Sequence, residues 1–176
     1  MSDQNAMLKM LYEDHKRLSR TETREVPGAI PGFTSFYDTG VFTPTFVGST
    51  IAGTFTYDAA NTGGIWSRIG NQVFVEGRVR ITAIAVAPTG NLQIGGLPIT
   101  SATTGRNIAG ALTFGAWTGI TLTGARTMLA AVIVDTVLLA NLFESGSNIA
   151  VNVTQGAALV LVGGIADIRF SGNYTV

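Results

Sequence analysis

Gln72-Val-Phe-Val-Glu-Gly-Arg-Val-Arg-Ile81 decides the fold class. Val73, Val75, Val79 and Ile81 fall on one face of an extended chain, and Phe74, Glu76, Arg78 and Arg80 fall on the other. Period two sustained over this length is the signature of a half-buried strand. The preceding Gly70-Asn71 is a turn dipeptide, and Ile65-Trp-Ser-Arg-Ile69 before it supplies a partner strand.

The same texture continues outward. Thr54-Phe-Thr-Tyr57 alternates polar and apolar residues, and residues 91–98 read as a short strand into a Gly-Leu-Pro turn. Residues 108–114, 119–123, 128–134, 137–143, 149–153, 158–162 and 165–175 complete a set of about ten strands, a spacing typical of antiparallel sandwiches and barrels. Residues 128–143 admit two readings: Leu and Ala suit a buried helix, whereas Ala-Val-Ile-Val and Thr-Val suit two strands, which we prefer. The pairs Gly63-Gly64, Gly95-Gly96 and Gly163-Gly164 read as turns, because no Lys-Ser/Thr and helix follow them to make a phosphate cradle. No alternation of strands with helices is visible, which excludes a nucleotide-binding α/β fold.

Residues 1–25 are of another composition. They hold 10 of the 22 Asp, Glu, Lys and Arg residues of the 176-residue chain. Residues 3–24 lack Gly and Pro and are rich in good helix formers. Leu8 and His15 occupy heptad a positions and Leu11 and Leu18 d positions, so a helix here carries an apolar stripe for self-association or docking. The next a and d positions are Glu22 and Glu25, where the seam ends. Val26-Pro-Gly-Ala-Ile-Pro-Gly32 opens a linker over residues 26–39, since two Pro-Gly pairs cannot continue a helix. The expected architecture is therefore mainly β: an antiparallel β-sandwich or jelly-roll-like knob over residues 40–176, preceded by one N-terminal α-helix and trimeric.

Charge excludes several functions. Lys and Arg number 11, Asp and Glu 11, and charged residues are 12% of the chain, against about 25% in an average soluble protein. A nucleic-acid partner needs a surplus of cations that is absent. There is no cysteine and one histidine, so thiolate chemistry, a His-cluster metal site and a Ser-His-Asp triad in the β region are excluded. No motif pairs the scattered carboxylates, no catalytic residue is assigned, and no cofactor or metal is expected. The opening residues lack a basic and then apolar signal pattern, so no signal peptide is expected. The most apolar run, 128–143, is interrupted by Asp135 and is shorter than the roughly 20 residues of a membrane span, so no membrane insertion is expected. The one lead toward a ligand is aromatic and polar. Trp117 lies in Gly115-Ala-Trp-Thr-Gly119, a loop-like setting, and Arg106 and Asn107 lie in the polar stretch Thr103-Thr-Gly-Arg-Asn107. These three are the candidate contacts for a glycan, whereas Trp66, in a strand beside Arg68, reads as core.

Four pieces in order carry a resemblance. Gly40-Val-Phe-Thr-Pro-Thr-Phe-Val-Gly48, then Gly64-Ile-Trp-Ser-Arg-Ile-Gly-Asn-Gln-Val-Phe-Val-Glu-Gly77, then Ile94-Gly-Gly-Leu-Pro-Ile99, then Ile168-Arg-Phe-Ser-Gly-Asn-Tyr174 resemble the C-terminal β-sandwich domain of bacteriophage tail fibres and tailspikes. The resemblance implies a homotrimeric, non-enzymatic tip of a virion fibre that adheres to host-surface polysaccharide. Other virion proteins, of the tail, the baseplate or the capsid, would be met through the N-terminal helix. Two alternatives remain open: a capsid decoration or head-fibre protein, and, lower in order, a capsule-degrading tailspike enzyme. Only a helix and a linker are expected before the domain, and this favours adhesion over depolymerisation.

Overall fold

The computed structural model describes residues 37–146 and 149–176, all within the unit Ser35–Val176. The expected helix over residues 3–24, with Leu8, Leu11, His15 and Leu18, lies outside the described residues, as does most of the linker. The described residues form eleven strands: β1 (Tyr37–Phe42), β2 (Thr45–Gly48), β3 (Thr54–Tyr57), β4 (Gly63–Ile69), β5 (Gln72–Val86), β6 (Leu92–Gly95), β7 (Gly110–Thr118), β8 (Met128–Ile133), β9 (Ala140–Gly146), β10 (Ile149–Val153) and β11 (Ala166–Thr175). Residues 128–143 thus carry two strands, β8 and the start of β9, as preferred, with 134–139 connecting them. The stretches 119–123 and 158–162 are not: they run as neighbouring loops joined by the Ile120–Leu159 bridge, with Gly119 at φ 78° breaking the extended chain.

The expected sandwich or jelly-roll knob behind an α-helix is corrected. The described residues contain no α-helix, and hence no helix able to cross a membrane. They form one antiparallel sheet curled into a half-barrel, not two packed sheets. Its path is β1-β4-β5-β11-β7-β8-β9-β6-β2, with β3 also on β5 and β10 also on β9. The curl has a covalent cause. β1 and β2 are the two ends of that path, yet only Thr43 and Pro44 separate them in the chain. The sheet must bend until its ends meet, and Pro44 lacks the N–H that would continue a ladder there.

Alternation then sorts the side chains. Along β5, Val73, Val75, Val79 and Ile81 are buried while Phe74 and Glu76 are exposed. The inner face also collects Leu112, Ala131, Ile133, Leu142, Ile168, Phe170 and Tyr174. Burying each large aliphatic or aromatic side chain contributes about 1.5–3 kcal/mol against an exposed reference. Tyr174 is buried but satisfied: its hydroxyl donates to Ile99 O at 2.8 Å and accepts from Ile99 N–H at 3.2 Å. That clamp fastens the long β6–β7 connection to β11.

Turn chemistry fixes the register. Gly70 at φ 60° sits first in the two-residue β4–β5 turn, as a II′ hairpin requires. Gly163 and Gly164, at φ 61° and 80°, make the I′-like turn between Val162 and Ile165. Gly63 and Gly64, read as a turn from the sequence, lie instead inside β4.

Candidate functional site

The outer faces of β1, β4, β5 and β11 form one surface, and the strand registers lay it out in rows. The first row is Tyr37–Ile69–Gln72–Thr175, and the second is Thr39–Ser67–Phe74–Asn173. The third is Val41–Ile65–Glu76–Ser171. The fourth begins beyond the end of β1 and is Gly63–Arg78–Arg169. A fifth follows with Arg80 and Asp167. Every second residue faces outward on each strand, so neighbours in a row share the face.

Rows one to three mix neutral polar residues and Glu76 with five exposed apolar side chains. Val41 is 82% exposed, Tyr37 64% and Ile65 59%, with Ile69 and Phe74 also exposed. Their strands enclose a shallow concavity of ≈ 840 Å³. Single exposed hydrophobes are ordinary, but here five lie on adjoining strands of one face.

Rows four and five are charged and mostly locked. Arg78 Nε donates to both Asp167 oxygens, at 2.9 and 3.2 Å, and Arg78 Nη1 donates to Asn61 Oδ1 at 2.7 Å. Asn61 in turn donates to Asp58, which faces Arg80 at 3.4 Å. The hydrogen bond from Arg78 holds the Asp167 carboxyl below its ordinary range, and the charges of Arg78, Arg169 and Arg80 add to it. The same bond raises Arg78. Arg169 and Glu76 flank this network. Both are exposed, and among the described residues neither forms an ion pair. Between them lies a second depression of ≈ 500 Å³, lined by Gly63, Gly64, Ile65, Glu76, Gly77, Arg78, Arg169 and Phe170.

The sequence-derived ligand contacts are not brought together. Arg106 and Asn107 lie on an exposed loop before the start of β7. Asp135 ties that loop down by accepting Thr104 N–H at 2.9 Å, the Thr104 hydroxyl at 2.8 Å and Gly105 N–H at 3.1 Å. Trp117 is in β7 rather than a loop, opposite Ile168, and packs against the core. It stands near the end of β7 opposite to the one that Arg106 and Asn107 precede. The residues that sequence reasoning missed are Gly63, Glu76 and Arg169. Alternation put Glu76 and Arg78 on one face, but only the β5–β11 register places Arg169 opposite Arg78. Among the described residues no group of three or more His, Asp or Glu is placed to hold a metal ion.

No protein-family model and no curated protein sequence matches the chain. Among solved structures it is similar to the Dettilon tailspike protein, with a TM-score of 0.60 and 20% identity, over 79% of this chain and 24% of that one. The chain therefore spans about a quarter of the length of that tailspike. The likeness is one of fold: the curled antiparallel sheet described above resembles part of that tailspike.

Proposed function

We propose that the chain is a subunit of a phage tail receptor-binding protein, a homotrimer that adheres to host-surface polysaccharide without cleaving it. The observation that carries this reading is the likeness of the sheet to part of a tailspike. That likeness favours the tail of a virion over the capsid.

Two features of the outer face support it. Tyr37, Val41 and Phe74, exposed and set among neutral polar side chains, are the proposed contacts between copies. Assembly matters for adhesion because three weak sites engaged together hold far better than one. The carboxylates support a non-enzymatic role. Glycoside hydrolysis needs two of them flanking the bond, at about 5–9.5 Å. On this face Asp167 is held by Arg78 and Asp58 by Asn61, which leaves Glu76 without a second free carboxylate beside it.

The test has three readings on one preparation. Light scattering at micromolar concentration is expected to give the mass of three chains, and a stable monomer overturns the assembly. Fluorescently labelled protein is expected to coat some members of a panel of encapsulated bacteria, and failure on all of them overturns adhesion. Capsular polysaccharide incubated with the protein is expected to keep its chain length, and shortened chains overturn the non-enzymatic reading.

A further inference from the structure

Gly63 is a strand residue that leaves a space where a side chain would be. A Cβ built on it meets nothing within 4 Å, and it carries no unusual backbone angle that would demand glycine. Its partner across the sheet is Arg78, and the next residue in that row is Arg169. The missing side chain opens the ≈ 500 Å³ depression, a volume within the range of small-ligand sites.

The walls of that depression have unspent valences of opposite kinds. Arg169 offers a planar guanidinium without an ion-pair partner among the described residues. Arg78 is fixed by Asp167 and Asn61, and three of its five N–H donors are used, which leaves two. Glu76 offers a carboxylate that only accepts hydrogen bonds. Ile65 supplies an apolar wall that is 59% exposed. A simple anion would be drawn to Arg169 and repelled by Glu76. A neutral polyol would satisfy Glu76 and leave Arg169 unmatched. The set is complementary to a compact ligand with one planar carboxylate, neighbouring hydroxyl donors and an apolar ring face.

We infer that the depression over Gly63 binds a carboxylated pyranose, a uronic-acid-type unit of an acidic polysaccharide. Its carboxylate lies on Arg169, its hydroxyls donate to Glu76, and its ring lies against Ile65. The fork geometry of Arg suits a carboxylate in a bidentate pair. The Asp167–Arg78–Asn61 network holds the remaining donors in place before the sugar arrives, so little ordering is left to binding. The inference rests on the adhesive reading above and names the sugar chemistry that such a surface would hold.

The experiment titrates the full chain with trigalacturonate, maltotriose and sucrose octasulfate by calorimetry. Trigalacturonate is expected to bind and maltotriose to bind at least tenfold more weakly. Arg169→Ala is expected to weaken trigalacturonate at least tenfold. Gly63→Leu fills the depression and is expected to abolish binding, with the melting temperature unchanged in both variants. No binding of trigalacturonate, equal binding of sucrose octasulfate, or indifference to both substitutions would overturn the inference. Glu76→Gln separates the two halves of the site: it is expected to weaken trigalacturonate severalfold, and a gain in affinity would show a bare anion site instead. Bacteria that bind wild type and Gly63→Leu equally overturn this site and leave adhesion in place. Bacteria that bind neither, in a panel where wild type coats no strain, overturn both.

Discussion

Phe42 and Phe170 face each other across two glycines. Their ring centroids are 6.4 Å apart, and Gly64 and Gly77 stand between them in a single cross-strand row, Phe42–Gly64–Gly77–Phe170. A Cβ on Gly77 would come within 2.5 Å of Phe170 Cζ, and one on Gly64 within 2.6 Å of Phe42 Cζ. Each ring lies over bare backbone that its own strand neighbour leaves open, the arrangement known as aromatic rescue. Phe114 extends the row on the next strand, 6.4 Å from Phe170 and edge-on to it. These rings make the inner wall directly behind the outward-facing depression, so the shape of the core and the shape of the site share one row of glycines.

Gly77→Ala is expected to destabilise the domain, because Phe170 must leave its position to admit the methyl group. Overpacking of this kind costs about 1–3 kcal/mol, and each kcal/mol lowers the melting temperature of a domain this size by about 2–4 °C. Gly63→Ala is the matched control, since its methyl group meets open space. Thermal unfolding followed by circular dichroism is expected to separate the two clearly. Equal losses at both positions would show that strand glycines act here through backbone entropy and not through the rings.

The Arg78–Asp167 pair gives a pH dependence of definite sign. Asp167 is held below the ordinary carboxylate range in the folded protein, while in the unfolded chain it titrates near about 3.9. A depressed folded value means that the folded state binds the proton less readily than the unfolded one. The pair therefore contributes fully at neutral pH, and its contribution is lost as pH falls from about 4 through the lower folded value. Asp167→Asn is expected to cost about 1 kcal/mol at pH 7, the scale of a partly exposed pair. In urea titrations that difference is expected to shrink as pH falls below about 4. A difference that stays constant down the acid limb would assign the loss to packing.

How much of this was legible in the sequence depends on how local the cause is. The β4–β5 hairpin was readable because period two and Gly70-Asn71 act within a few residues of each other. Trp66 was readable as core for the same reason. Trp117 was misread because Gly115 and Gly119 bracket it. Gly115 is in fact the extra residue at the irregularity where β7 shifts register between Arg169 and Phe170, and the strand continues through it. The curl was illegible because it depends on β1 and β2 ending at opposite edges of the sheet, which no local pattern around Pro44 discloses. The site suffered likewise. Gly63, Glu76 and Arg169 meet only through a register that pairs residues about ninety positions apart along the chain, Arg78 with Arg169.

Tyr174 is expected to matter twice. Tyr174→Phe leaves both polar groups of Ile99 without their partner, a loss of about 1–3 kcal/mol. Burial also pushes the Tyr174 hydroxyl up to about 12 from its ordinary 10.0, a shift that the hydrogen bond with Ile99 opposes. A raised folded value means the stabilisation is complete below pH 10 and is lost as pH climbs toward 12, by about 2–3 kcal/mol across that window. Wild type is therefore expected to lose its advantage over Tyr174→Phe between about pH 10 and 12. Parallel alkaline stability curves would show that the phenol stays protonated for another reason or titrates together with its surroundings.

Assembly through the outer face has a concentration signature. If copies cover Tyr37, Val41 and Phe74, the folded state is favoured by mass action, and the melting temperature rises with protein concentration. Tyr37→Asp combined with Phe74→Asp places two charges where a neighbour must pack, and both side chains are exposed in the single chain, so its own core is untouched. The double variant is expected to run as a single chain in sedimentation and to melt at a temperature independent of concentration. Wild type is expected to sediment as three chains and to melt higher as concentration rises tenfold. Were the double variant to keep the wild-type mass, the contact between copies would lie elsewhere on the sheet, and these exposed apolar side chains would be left for a different partner.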